Sequence, residues 1–139
     1  IEHSEVRFMS HCYFAEIRKL DKKTVLYSQG MLALTETKLH LVDSELQAAA
    51  TTEKIEVTIS KVDGVDLRAF APDGGMQLQL LYGEYLLVIV VTSEKAWVDR
   101  EGSQKLLDLL ISDGVTQWQS EGIYKEDGPF FIVPMPVPK

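Results

Sequence analysis

The chain has 139 residues and a mass of 15.6 kDa, is 45% hydrophobic and 25% charged, and carries a formal net charge of −7 with a pI near 4.9. That length suits one domain with a single core, and the balance is that of a globular chain rather than a disordered one. The acidic charge argues against general nucleic-acid binding and against broad adsorption to anionic lipid, both of which need positive surface.

In chain order, Tyr13, Ala15 and Ile17 alternate with Phe14, Glu16 and Arg18 in a first strand ending near Leu20. Asp21-Lys22-Lys23 makes a polar turn into Thr24-Val25-Leu26-Tyr27. In "GMLALTETKLHLVD", leucines 32 and 34 are two apart, as are 39 and 41. Spacing two is the strand period and spacings three and four the helical ones, so Met31 to Val42 is predicted as a β-hairpin turning at Thr35–Lys38. Gly30 is expected to allow a tight entry to it. Ile55, Val57 and Ile59 alternate with Glu56, Thr58 and Ser60 in the next strand. Asp63-Gly64 reads as a break before Val65 to Phe70, and Pro72-Asp73-Gly74-Gly75 as a turn. Met76, Leu78, Leu80 and Tyr82 share one face, and Tyr82-Gly83-Glu84-Tyr85 is a hairpin tip. The run Leu86 to Val91 is apolar at every position, which predicts a strand covered on both faces.

After Thr92 the period changes. Leu106, Leu107, Leu110 and Ile111 fall at helical spacing, so a helix starts between Glu94 and Ser103 and runs to about residue 112. Asp99 or Ser103 is positioned to cap its start, Gly102 costs an early turn about 1 kcal/mol relative to alanine, and Gly114 lies where helices commonly end. The expected organisation is a domain over 1–114, with strands over about 12–92 and the helix over about 96–112, and a Pro-rich extension over 115–139. The fold class is mainly β: a bent antiparallel barrel of about seven strands, with the helix plugging an open end or covering the apolar last strand.

One cysteine, Cys12, allows no internal disulfide framework, and three histidines without paired spacing give no metal motif. No apolar run approaches the roughly 20 residues that span a bilayer. The sequence carries no Gly-rich phosphate loop, nucleophile elbow or zinc-protease helix, and His11 and Cys12, adjacent in an extended segment, point opposite ways. The expectation is therefore a non-enzyme without cofactor or metal. The compartment expected is the cytoplasm, or an extracytoplasmic one if a leader or anchor precedes Ile1.

"GMLALTETKLHLVD" resembles the G-x-L-x-L-T-x-x-x-L hairpin of GRAM domains and bacterial pleckstrin-homology-like (PH-like) domains. "KIEVTISKVDGVDLR" resembles their following strand, and "YLLVIVV" with "SQKLLDLLI" their closing strand and single helix. The resemblance covers roughly residues 12 to 112. It implies a bent barrel with one helix, on a scaffold that hosts lipid binders, peptide binders and assembly modules alike. Phosphoinositide-binding members cluster Lys and Arg around the loop between their first two strands. Here "IRKLDKKTV" places Arg18, Lys19, Lys22 and Lys23 near that tip, without the arginine in the following strand that usually completes such a site.

Two candidate sites follow. The four cations offer charge-assisted hydrogen bonds to a phosphate; the alternative is a solvated turn in which lysines blunt a strand edge. In the tail "FFIVPMPVPK", Phe130, Phe131, Ile132, Pro134 and Pro136 are candidates for partner binding, because four consecutive apolar residues are costly to leave in water. They dock either on their own domain or on a neighbour, using strand addition or polyproline pre-organisation. The expected function is a non-catalytic binding or assembly module with a protein partner or a second copy. The alternatives are membrane targeting through the basic tip, with peripheral contact disfavoured by the acidic charge, and carriage of a small apolar ligand in the barrel.

Overall fold

The computed structural model describes residues 6–43, 52–70, 75–95 and 97–117. Seven antiparallel strands form one curled half-barrel sheet: β1 (Phe8–Arg18), β2 (Lys23–Leu34), β3 (Lys38–Asp43), β4 (Thr52–Thr58), β5 (Val62–Phe70), β6 (Gly75–Tyr82) and β7 (Tyr85–Thr92). A single turn of 3-10 helix, Ile59–Lys61, joins β4 to β5, and one α-helix, α1 (Arg100–Ser112), follows β7. The spatial order is β4-β3-β2-β1-β7-β6-β5, so β1 is central and pairs with both β2 and β7.

Alternation sorts each strand into two faces. Cys12 and Phe14 of β1, Leu32 and Leu34 of β2, Leu39 and Leu41 of β3, Ile55 and Val57 of β4, Val65 of β5, Leu78 and Leu80 of β6, and Leu87, Ile89 and Val91 of β7 meet on the concave side. Leu106, Leu107 and Leu110 of α1 close that core, joined by Val115 just beyond the helix. The apolar run in β7 is covered on both faces, as its composition predicts: Leu86 and Val88 belong instead to a second buried cluster with Ala15, Ile17 and Leu81, on the convex side.

The turn at Thr35–Lys38 is where the period places it, closed by the Thr35 amide donating to the Lys38 carbonyl at 2.9 Å and the Lys38 amide donating to the Thr35 hydroxyl at 3.2 Å. Several boundaries differ from expectation. The strand read through Ile59 and Ser60 ends at Thr58, where the chain tightens into the 3-10 turn Ile59–Lys61 that leads into β5. The segments at 24–27 and 31–34 are one strand, β2, in which Gly30 sits mid-strand, opposite Cys12 on one side and Asp43 on the other, rather than at a hairpin entry. Asp63-Gly64 does not break the chain. β5 runs through both, and a register shift between Val62 and Gly64 leaves Asp63 as the unpaired residue. A bulge absorbs one residue without ending a strand, which local turn chemistry does not foresee. The strand at β1 also begins earlier, at Phe8.

Asp99 is the N-cap of α1: its carboxylate accepts from the Gly102 amide at 2.9 Å. Ser103, the other candidate, donates its hydroxyl to the Asp99 carbonyl at 2.7 Å. The helix ends at Ser112 with Asp113 as its C-cap, and the chain turns away at Gly114, φ +96°, with the Gly114 and Val115 amides donating to the Ile111 and Leu110 carbonyls. Arg7 then ties three elements together, donating to the Thr35 carbonyl of the β2–β3 turn and pairing with Asp113 at the end of α1. Beyond the helix, the Val65 amide donates to the Thr116 carbonyl at 2.9 Å, and Gln117 bridges Val65 in parallel at the edge of β5. Among the described residues no helix is long and apolar enough to cross a membrane.

Candidate functional site

The four cations of the sequence do gather at one place, the β1–β2 tip, but they are not equivalent. Arg18 forms a two-point pair with Asp21, at 3.1 and 2.7 Å, so its guanidinium is engaged within its own turn. The pairing is mutual: the Arg18 hydrogen bonds hold the Asp21 carboxyl below its ordinary range, and Asp21 in turn raises Arg18. Asp21 also accepts from the Lys23 amide at 3.2 Å, while Lys22 adopts a left-handed conformation, φ +57°, and donates its amide to the Arg18 carbonyl. The turn is thus organised by an acidic residue in the middle of the basic run. The Lys19 amide donates to the Glu84 carbonyl, which joins this tip to the β6–β7 tip. Lys19, Lys22 and Lys23 are exposed there beside Leu20, which is 93% exposed.

Phe130, Phe131, Ile132, Pro134 and Pro136 lie outside the described residues, as does the turn expected at 72–74. Cys12 and His11 do point apart: Cys12 is 1% exposed in the concave core, where burial pushes its thiol well above the ordinary range, and His11 is exposed on the opposite face. Among the described residues no group of three or more His, Cys, Asp and Glu side chains is placed to hold a metal ion. At the mouth of the concave side, the Tyr82 hydroxyl donates to Glu16, and burial followed by that bond pushes the phenol up.

A surface that sequence reasoning missed lies on the convex side of β1 and β2. Met9 is 56% exposed, Val25 44% and Tyr27 41%. Tyr13 stacks on Tyr27 with ring centroids 6.4 Å apart and an interplanar angle of 16°. Met31, opposite His11 in the β1–β2 register and opposite Val42 in β3, is half-buried and continues the strip. The strip exists because β1 and β2 carry Met9, Tyr13, Tyr27 and Met31 at odd, outward positions, alongside the exposed polar His11 and Gln29. The signal was present in the sequence as "VRFMSHCYF", whose alternation begins at Phe8 and Met9, ahead of the strand start read from Tyr13.

The concave face is occupied by packed side chains, with Phe14, Leu32, Leu80 and Ile89 all fully buried. Among the described residues, the large exposed apolar side chains include Leu20 at the tip, Met9, Val25 and Tyr27 on the convex strip, and Trp97 between β7 and α1. Compared with known proteins, the chain matches no family model and no curated protein.

Proposed function

We propose that this domain is a non-catalytic binding or assembly module of the PH-like, GRAM-like kind, working through protein–protein contacts on the convex face of β1 and β2. The observation that carries this reading is the strip of Met9, Tyr13, Val25 and Tyr27, whose three most exposed members are 41–56% accessible on one rigid sheet face. These apolar side chains, with the exposed His11 and Gln29 between them, are held at fixed spacing by backbone pairing and offer ordered aromatic area, which is what protein interfaces use most. The strand order around β1 and the single helix after β7 support the PH-like reading.

Light scattering across a concentration series tests it, on the full chain and on Met9→Ser/Tyr27→Ser. The expected result is a mass that rises with concentration in the wild type and stays monomeric in the variant. A monomer at every concentration in both removes self-assembly through this strip.

Membrane targeting is a second reading favoured by one observation: Leu20, 93% exposed, stands among Lys19, Lys22 and Lys23 at a loop tip. An apolar side chain ringed by cations suits an anionic headgroup layer. Salt-sensitive binding to phosphatidylserine-containing vesicles, lost on Leu20→Ser or Lys19→Glu, supports this reading; equal binding by these variants counts against it.

A further inference from the structure

The β1–β2 register brings together three metal-ligating side chains whose spacing in the sequence gives no motif. Met9, His11 and Met31 occupy odd positions of the two strands and stand on the convex side, opposite the core residues Cys12, Phe14, Leu32 and Leu34. His11 is the direct cross-strand partner of Met31, which sets their Cβ atoms about 5 Å apart. Met9 precedes His11 by two residues, about 7 Å along the strand, and its own partner is Ala33, two residues beyond Met31. The three donors therefore hold three corners of one small patch. Ala33, whose side chain is a single methyl group, holds the fourth and leaves room above itself for the longer side chains to lean over. Met9 is 56% exposed, His11 is exposed and Met31 is half-buried, so the patch opens to solvent.

We propose that Met9, His11 and Met31 form a surface site for a soft monovalent metal ion, Cu(I). Two thioethers and one imidazole carry no negative charge and offer no oxygen, which makes them poor ligands for magnesium or calcium. Thioether sulfur favours Cu(I) instead. A closed-shell ion imposes little geometry of its own, and each methionine has three rotatable bonds, so the two sulfurs and the ring can meet one ion above a single sheet face. The flanking partners carry no charge: Thr92 of β7 lies beside His11, and Val42 of β3 beside Met31. His40 shares the row of Met9 and Ala33 but stands two strand steps from Met9, about 10 Å, and is not counted among the donors. Cys12, the softest ligand in the chain, is on the opposite face. The imidazole opposite a thioether is the feature that an apolar contact surface does not require. The site lies within the strip assigned above to protein contacts without resting on that reading, since Tyr27→Ser removes aromatic area from the strip and leaves all three donors in place.

Competition for Cu(I) tests the proposal on the full chain, with ascorbate keeping copper reduced in the absence of oxygen and bicinchoninate as the coloured competitor. The expected result is one equivalent of Cu(I) withdrawn from the competitor by the wild type, by Tyr27→Ser and by Cys12→Ala alike. Met9→Leu/Met31→Leu keeps the apolar volume and removes both sulfurs, and His11→Asn removes the ring. Each should weaken binding by at least the roughly tenfold that losing even an outer-shell partner of a metal costs. A circular dichroism spectrum matching the wild type shows that each variant is folded. The proposal is overturned if the chain withdraws no copper, or if the folded Met9→Leu/Met31→Leu variant binds as the wild type does. It is also overturned if Cys12→Ala abolishes uptake, because the copper is then held by the core thiolate and not by the convex patch.

Discussion

Asp99→Ala is the substitution whose effect can be worked out most fully. The Asp99 carboxylate accepts from the Gly102 amide at 2.9 Å, satisfying one of the donors that a helix start leaves unpaired. Its removal costs about 1 kcal/mol for the cap and roughly 0.3–1 kcal/mol more for the negative charge beside the positive end of the helix. Asp99→Asn keeps the acceptor and should lose only the charge contribution. Ser103→Ala should cost little, since the Asp99 carbonyl still receives the Ser103 amide at 3.0 Å. Gly102 adds a coupling. A Cβ there would lie 2.5 Å from the Asp99 carboxylate and 3.2 Å from Val91, so Gly102→Ala must displace the cap. Alanine is about 1 kcal/mol better than glycine inside a helix, and that gain should emerge only once Asp99 is already alanine. Urea unfolding followed by circular dichroism reads all of these, with an unchanged dependence on denaturant showing that the unfolded state is not altered. The reasoning fails if Ser103→Ala costs as much as Asp99→Ala, or if the double variant is simply additive.

Tyr82 gives a prediction in pH. Burial and its bond to Glu16 raise the phenol's folded pKa above its ordinary value of 10.0. Its contribution to stability is therefore complete below about pH 10 and is lost as pH rises from there toward the folded value. Wild-type stability should fall more steeply above pH 10 than that of Tyr82→Phe, and parallel curves would remove Tyr82 from the account. Cys12, fully buried with its thiol held neutral by desolvation, should react with a disulfide reagent only through opening of the core. Reaction as fast as that of a small free thiol would show that the concave face is open to solvent.

Local pattern carried the elements whose signal is a period. The alternation at Ile55 and Val57, the turn at Thr35–Lys38 and the helix at Leu106, Leu107 and Leu110 are each legible within about a dozen residues, because side-chain direction repeats at 2.0 in strands and 3.6 in helices. The cap at Asp99 was one of two candidates, and only the backbone conformation at position 99 separates them. The basic run was legible too, but not the pairing of Arg18 with Asp21, which depends on how the turn closes.

What remained hidden depends on contacts distant in sequence. The continuity of β2 through Gly30 is set by pairing with β1 on one side and β3 on the other, and pairing overrides a local glycine. β5 passes through Asp63-Gly64 because β6 holds both flanks. Ala15 and Tyr27 occupy equivalent outward positions on neighbouring strands, and nothing in their own segments says that one is buried and the other 41% exposed. The sequence alone determined that the chain alternates and where it changes to a helix, since those follow from bonded geometry. The tertiary structure alone decided which part of the convex face stays open, because burial depends on the surroundings of a side chain and not on the strand that carries it.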